Sequence, residues 1–475
     1  MLKKCQCLSW AAAGPGKSAS VQAALLEVPP FCSIIVITYR REDGRTLQAN
    51  TKYTWLDIAK HFFCNDVTLY QFANQFRQQA EAAQRGETSS LSALRSYLPL
   101  PTGQEKGTYI AVDFGGTNVR AARIRLLGGH CHIVEKKVSR PLRLPGKYDY
   151  TTAATTAAEL FDFIADCVGE AAGGNRPFYL GHTFSFGVQQ RDLHDALFSC
   201  WAKEIAVQGA EGHYVNAMLR DALVRRGLDR IEPVALVNDT TALLAAAAYQ
   251  FGCSVVGVIC GTGFNMCYYE PAWQMIVNLE AGDYSGVKQT IWDERVDAQS
   301  LHPGVHRLEK MISGAYIGEI YRQALMTYFQ TDTIPKLTAK DMGDILVMDN
   351  LGLTTVQIRL SRLLNRIIQL SEIEPVRNLA AAIFARTAEL SGAAAYGMVR
   401  HIYPGKEIPA QTVTVEGSVL QHTRGGLLMF DDAMYACAAF DGWSRQEGIP
   451  VESLILFDGP AVGAAAAAAL AVGKD

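Results

Sequence analysis

An excess of charge of either sign is missing from this sequence, in which 44 Lys and Arg stand against 47 Asp and Glu for a net charge of −3. Nucleic-acid binders screen phosphates with clustered cations, and peripheral membrane proteins hold lipid with polybasic blocks, so neither partner is expected. Long apolar runs are missing too, and nothing approaches the ~20 residues that cross a bilayer. The stretch from Gly459 to Gly473, charge-free and mostly alanine, is shorter and reads as a buried helix. Regular cysteine spacing is also absent: the 11 cysteines are an odd, scattered set. That excludes a disulfide framework and suits buried thiols kept reduced in the cytoplasm. Neither Cys5 with Cys7 nor the run His130-Cys131-His132 offers the four paired ligands of a structural zinc site. At the start, Lys3 and Lys4 precede a short apolar patch broken by Gln6 and Ser9, too weak for a secretory signal. The tempting GPGKS at residues 14–18 lacks a phosphate-binding loop's first glycine, because Ala11 stands there, and no apolar strand feeds it.

What is present is a globular composition, 49% hydrophobic and 19% charged over 475 residues, enough for two or three domains. The β-branched run ending at Tyr39 predicts a single strand. From Trp55 to Arg85, Phe62, Phe63, Leu69, Phe72 and Phe76 recur at helical spacing, which predicts an amphipathic helical segment ended by Leu98-Pro99-Leu100-Pro101. Then GTYIAVDF, VRAARIRLL and HCHIVEKKV, separated by glycine turns, predict an antiparallel β-meander. A helix around Thr151 to Gly169, the apolar run FYLGHTFSF, a helix from His213 to Arg226 and the strand PVALV follow, an α/β layer order. The opening then repeats: VVGVICGTGFNMCYYEP, from Val255, is again strand, glycine turn and strand, about 140 residues after its counterpart. Two related domains facing each other are expected. In both copies the turn leads into a strand rather than a helix, which argues against dinucleotide-binding and P-loop folds.

Several residues could carry chemistry on these turns. Gly115, Gly116, Thr117 and Asn118 lack bulk where a polyphosphate needs close backbone approach, and backbone N–H groups there can cradle phosphate. Asp113 beside them can hold a hydrated Mg²⁺ carried by a nucleotide, and Arg120 supplies positive charge. Gly261, Thr262 and Gly263 form the second copy. Asp239 ends a buried strand ahead of an alanine-rich helix. Either it or Thr240 serves as the helix N-cap, or Asp239 is a general base on a substrate hydroxyl. Glu280 and Glu309 lie in locally apolar settings where sugar hydroxyls make good partners, although Glu309 beside Lys310 equally suits a helix surface.

The motifs VDFGGTNVR at 112, TFSFGV at 183, WAKEI at 201, GAEGH at 209, ALVNDTTALL at 235, GVICGTGFNMCYYE at 257, NLEAG at 278 and LEKMISGAYIGEI at 308 resemble, in order, those of the hexokinase family. VTVEGSVLQH at 413 and LFDGPAVGAAAAAAL at 456 resemble its adenosine-side motifs. The resemblance, from about Tyr97 onward, implies an α/β two-domain actin-like ATPase (ribonuclease H-like) fold with a duplicated β-meander plus helices and an interdomain cleft. It implies a large domain of residues 51–104 plus 239–457, a small domain of 105–238 plus 458–475, and an N-terminal extension of 1–50. It further implies MgATP-dependent phosphorylation of a hexose, glucose first, at the 6-hydroxyl as the opening step of glycolysis. Asp239 is then the base; Ser185, Lys203, Asn238, Glu280 and Glu309 hold the sugar. Asp113, Gly115, Gly116, Thr117, Asn118 and Thr262 meet phosphates and Mg²⁺, and Gly417, Ser418 and Gly459 lie near the nucleoside. Water, always available as a nucleophile, requires a site assembled only on closure, with hinges expected near Pro101–Gly107, Val237–Thr240 and Leu456–Gly459.

The chain departs from the family pattern in places. Ala202 stands where a Thr precedes the sugar-binding Lys, which removes a hydroxyl contact worth ~1 kcal/mol. Gly187 replaces a proline and is expected to loosen its loop, Ala281 replaces a common Trp, and Pro460-Ala461 replace small polar residues. The alternative function is a non-catalytic sugar sensor with the same fold, against which the retained Asp239 argues. The expected partners are a hexose and ATP, and the expected state is monomer or homodimer.

Overall fold

The computed structural model describes residues 21–25, 35–39, 53–201, 205–348, 351–405, 407–445, 448–457 and 459–473. Lys203 and Ala202 therefore lie outside the described residues. The chain divides into two units, residues 1–52 and 53–475. In the first, strand Val21–Leu25 pairs antiparallel with Ile35–Tyr39. The expected single strand is thus half of a pair, because Val21–Leu25 carries too little β-branched character to announce itself.

The second unit holds two sheets of the same design. The first comprises β1 (Lys106–Phe114), β2 (Asn118–Gly128), β3 (Cys131–Pro141), β4 (Phe178–Phe184) and β5 (Ile231–Val237), in the order β5-β4-β1-β2-β3. The second comprises β6 (Ser254–Cys260), β7 (Phe264–Glu270), β8 (Met275–Asn278), β9 (Gln411–Glu416) and β10 (Val451–Ile455), in the order β10-β9-β6-β7-β8. A two-residue edge, Leu94–Arg95, extends the second sheet beyond β8. Each sheet is an antiparallel three-stranded meander whose first strand pairs in parallel with one later strand, which in turn pairs in parallel with another. The duplication in sequence is therefore a duplication in topology.

Burial explains each strand's composition. From Ile110 to Phe114, β1 is buried throughout and carries an unbroken apolar run apart from Asp113. At the edge, β3 is largely exposed and carries Glu135, Lys136 and Lys137, charges that blunt an unpaired strand.

The helices start where caps allow. Helix α1 (Ala157–Ala172) begins at a Thr156/Glu159 capping box, later than the composition of residues 151–156 suggests. The expected segment from Trp55 to Arg85 is two helices, Trp55–Ala59 and Asp66–Gln84, because Asn65 breaks it and caps the second. Helix α2 (Val215–Arg225) precedes β5, and α3 (Asp239–Phe251) follows it. Helices α4 (Ile291–Ala298), α5 (Arg307–Ile312) and the 30-residue α6 (Ile373–Ile402) support the second sheet.

The last helix, α7 (Gly459–Val472), follows β10 as α3 follows β5, and the two pack together with their backbones nearly in contact. A Cβ on Gly463 would lie 1.8 Å from the Ala242 carbonyl oxygen, so only glycine allows this approach. Among the described residues no helix is long and apolar enough to cross a membrane.

Candidate active site

Parallel strands end on the same edge of a sheet, and this places the candidate residues together. In the first sheet Phe114 pairs with Phe184 and Thr183 with Val237. The turn after β1 (Gly115 to Thr117), Ser185 after β4 and Asn238-Asp239 after β5 therefore share one rim, the end of an α/β sheet where ligands bind. In the second sheet Ile259 pairs with Glu416 and Val415 with Ile455. Gly261 to Gly263, Gly417-Ser418 and Gly459 share the equivalent rim.

On the first rim, Asp113 is 8% exposed and takes a 2.9 Å hydrogen bond from the Arg120 guanidinium on β2. A Cβ on Gly115 would meet only the Asp113 carboxylate, at 3.9 Å, so the turn surface stands open beside that carboxylate. Gly116 adopts φ 102°, and Asn118 donates to the Thr117 hydroxyl at 3.3 Å. These residues fit a phosphate carrying hydrated Mg²⁺: a fixed anion, a flanking cation and uncrowded backbone.

Ser185 is buried, and its N–H donates to the Phe114 carbonyl at 3.3 Å. Beneath it Phe114, Phe184, Phe186, Phe198 and Trp201 form one aromatic cluster. Trp201 also donates to the Val207 carbonyl at 2.7 Å. A second brace comes from His182, whose Nδ1 meets Asn216 Oδ1 at 3.1 Å and whose pKa burial pushes down to about 4. The ring is thus neutral, and its Nδ1–H donates to Asn216. The Asn216 amide donates in turn to the His194 carbonyl at 2.5 Å, tying β4 to the β-hairpin beside it. That hairpin corrects the expectation for Gly187: it pairs with Cys200, whose sulfur would lie 2.9 Å from an added Cβ. The small residue admits a close strand pairing rather than loosening the loop.

Asn238, not Asp239 or Thr240, is the N-cap of α3, its side-chain oxygen accepting from Thr240 N at 2.9 Å and from the Thr240 hydroxyl at 2.7 Å. Helix capping therefore does not account for the aspartate. Asp239 is the first helical residue of α3, and its Oδ1 accepts from Thr240 N at 2.8 Å.

The Thr240 hydroxyl also reaches Asn278 Oδ1 at 3.4 Å, and the Asn278 amide donates to Glu280 at 2.6 Å. Asn265, on β7, donates to Asn278 at 3.0 Å and accepts from Ala281 N at 3.0 Å. A network of amides thus connects the Asp239 helix to Glu280. Of this network sequence reasoning assigned a role only to Asn238 and Glu280; Asn265, visible as the asparagine just behind the second glycine turn, is the signal that could have found the rest.

Burial raises the pKa of Glu280 above the usual carboxylate value, the Asn278 hydrogen bond opposes this, and the charges of Asp239, Asp283 and Glu309 add to it. Among the described residues the charges acting on Glu280 are those of Asp239, Asp283 and Glu309, acidic surroundings suited to a ligand that donates hydrogen bonds.

Glu309 is not a plain surface residue: its Oε2 accepts from Phe264 N at 2.9 Å, and its neighbour Lys310 is buried, donating to Asp297 at 2.5 Å. A Cβ on Gly263 would lie 2.6 Å from that same Oε2, so the second glycine turn is shaped to receive the carboxylate. Gly314 N and Ala315 N, just past α5, donate to the Gly261 and Thr262 carbonyls at 2.8 and 3.1 Å. On the same rim Gly417 has φ 115°, and a Cβ there would come within 2.4 Å of the Cys260 carbonyl. Gly459 sits against Glu416, with 3.1 Å from its notional Cβ to the carboxylate, while Ser418 opens the short helix Ser418–His422.

Gly417→Ala is accordingly expected to cost about 1–3 kcal/mol through a forbidden φ and a backbone clash. Its signature is a lower unfolding midpoint and, for the nucleoside-side place that the family resemblance implies, a raised Michaelis constant for nucleotide with little change for sugar; an unaltered nucleotide constant would overturn that implication for Gly417.

The chain matches the family description "Hexokinase" twice, over residues 54–249 and 255–470. Hexokinase-7 of Oryza sativa is 32% identical over 370 residues, covering 70% of this chain and 79% of that one. Hexokinase-1 of Schizosaccharomyces pombe is 30% identical, covering 78% and 80%. The chain belongs to the hexokinase family.

The longer relatives in this hexokinase family extend beyond it: at 30% identity the matched part spans 39% of Hexokinase-3 of Rattus norvegicus and 47% of that of Homo sapiens. A hexokinase from Schistosoma mansoni complexed with glucose superposes with a TM-score of 0.73 at 26% identity, covering 88% of this chain and 98% of that one. A further hexokinase crystal structure gives 0.76 at 28% identity, with 88% and 99% covered. The fold is thus the two-domain actin-like ATPase fold expected for a hexokinase. The boundary between the two family matches falls between α3 and β6, where one sheet gives way to the other.

Proposed function

We propose that the protein transfers the γ-phosphoryl group of MgATP to the 6-hydroxyl of a hexose, with glucose the leading substrate, as the first step of glycolysis in the cytoplasm. The observation carrying this reading is the convergence of the Asp239 and Glu309 charges on Glu280, with Glu309 held by Phe264 N at the second glycine turn. Asp239 is partly exposed and is not the N-cap; while its Oδ1 accepts from Thr240 N at 2.8 Å, the carboxylate takes the proton of the attacking hydroxyl in this reading. Asn238, Glu280, Glu309, Ser185 and Lys203 hold the remaining hydroxyls. A buried acceptor left without its hydroxyl costs discrimination energy, which is how a neutral polyol is selected.

The attacking oxygen displaces ADP in line while Gly115 to Asn118, Gly261 to Gly263, Asp113 and Arg120 surround the phosphates, with Gly417, Ser418 and Gly459 near the nucleoside. Mg²⁺ enters with ATP and offsets the charge that develops on the transferred group. The proposed lobes are residues 51–104 with 239–457 and residues 105–238 with 458–475. α7 packs against β1, β4 and β5 of the second lobe and also against α3 of the first. Closure about Pro101–Gly107, Val237–Thr240 and Leu456–Gly459 would exclude water. The eight described cysteines are unpaired, in keeping with a reducing compartment.

The test is MgATP consumption with glucose, mannose, fructose, galactose and no sugar, beside the melting temperature with each. Sugar-dependent consumption is the expected result. Stabilisation by glucose without consumption on any sugar would replace the enzyme with a sensor.

A further inference from the structure

Two non-glycine residues at the sugar side occupy the left-handed region: Glu280 at φ 49° and His306 at φ 53°. Such conformations cost energy and persist where surroundings enforce them. Each opens a short helical segment without a side-chain cap, Glu280 the turn Ala281–Asp283 and His306 the helix α5. The segments touch directly, a Cβ on Gly282 falling 3.0 Å from Glu309 Cβ. They are also bonded: His306 Nδ1 pairs with Asp283 Oδ1, and Arg307 donates to the Ser285 carbonyl at 2.6 Å. Asp283 lies three residues after Glu280, and His306 three residues before Glu309.

We infer that His306 and Asp283 are positioning residues for hexose binding, a protonated His306 clamping Asp283 and thereby fixing the separation of the Glu280 and Glu309 carboxylates. This rests on the reading of Glu280 and Glu309 as sugar ligands. The side chains of the pair are 50% and 37% exposed, so it exchanges protons with solvent.

The groups facing His306 are Asp283, Glu309 and Lys310, with Arg307 next in the chain. The hydrogen bond to Asp283, and then the charges of Asp283 and Glu309, raise the imidazole pKa above its ordinary value, against burial and Lys310. The clamp is therefore complete at pH below the ordinary imidazole value and is lost as pH rises through the raised one. Glu280 works in the opposite sense, because its raised pKa adds a carboxylate acceptor as pH rises. Its contribution persists in a His306 variant and can be subtracted.

The experiment is calorimetric binding of glucose to the intact chain from about pH 6 to about pH 9, for wild type, His306→Gln and Asp283→Asn. The wild type is expected to lose about three- to fivefold in affinity across that range, as for a partly exposed ion pair, while both variants start weaker and lose the decline. Turnover at saturating sugar should stay within about twofold in the variants, since neither residue touches the reacting oxygen. A decline in His306→Gln equal to that of wild type would overturn the clamp while leaving the hexose reading intact. Absence of glucose binding to wild type at every pH would overturn the hexose reading itself, and the clamp with it.

Discussion

Asp239→Asn should lower sugar phosphorylation by about 10²- to 10⁴-fold, the usual worth of a positioned general base, while glucose binding is retained. The amide is nearly isosteric, and its oxygen can still accept from Thr240 N, as Asp239 Oδ1 does at 2.8 Å. The Asn238 cap is untouched, so the loss of a charge at the helix start should cost only about 0.3–1 kcal/mol of stability. Removing that charge also relieves one of the neighbours holding the Glu280 pKa up, which leaves Glu280 more fully ionised and no poorer as a hydroxyl acceptor. The expected pattern is thus a collapse of kcat with a glucose affinity within about threefold of wild type. A variant with more than about a tenth of wild-type turnover would show that another group takes the proton.

The largest stability effect is expected far from the reacting atoms, at Arg386. It lies on α6, 2% exposed, and makes a two-pronged ion pair with the equally buried Asp293 of α4 at 2.8 and 2.9 Å. It also donates to the Met311 carbonyl at 2.7 Å, and its guanidinium lies 4.9 Å from the Phe62 ring centre. Three helices thus meet on one side chain, one of them α5, which carries Glu309. Arg386→Met strands a buried carboxylate and should cost about 3–5 kcal/mol in denaturant unfolding. Adding Asp293→Asn removes the stranded charge and should recover a substantial part. A single variant less than about 1 kcal/mol below wild type would mean that Asp293 is rehydrated on loss of its partner. Glucose affinity is expected to fall in Arg386→Met, because the anchor of the Glu309 helix is gone.

Much of this architecture was legible because it rests on local signals. The glycine turns at Gly115 and Gly261 sit between apolar strands, so the first meander and the hairpin that opens the second follow from periodicity, and their duplication pointed to two facing halves, whereas the third strand of the second, Met275–Asn278, was not legible in this way. The alanine stretch from Gly459 is a buried helix because only small side chains permit the approach of α7 to α3. Other features depend on partners distant in sequence. Whether Asn238 or Asp239 caps α3 is decided by side-chain rotation, and two adjacent polar residues before a helix read alike. The paired strand Val21–Leu25 has no distinguishing composition. Asn265, Asn278 and Glu280 form one network only after β7 and β8 pair, Cys267 standing opposite Asn278. The His306–Asp283 pair needs two segments more than 20 residues apart to meet, and neither residue has a motif of its own.

The most direct test of the proposed chemistry is the structure of the product formed from glucose and MgATP by the purified chain, read by phosphorus and carbon NMR beside Asp239→Asn. The expected spectrum shows glucose 6-phosphate accumulating in step with ADP in the wild-type reaction and scarcely at all in the variant. Phosphate on another hydroxyl, or ADP formed at the same rate without glucose, would contradict the placement of a hexose 6-hydroxyl against Asp239.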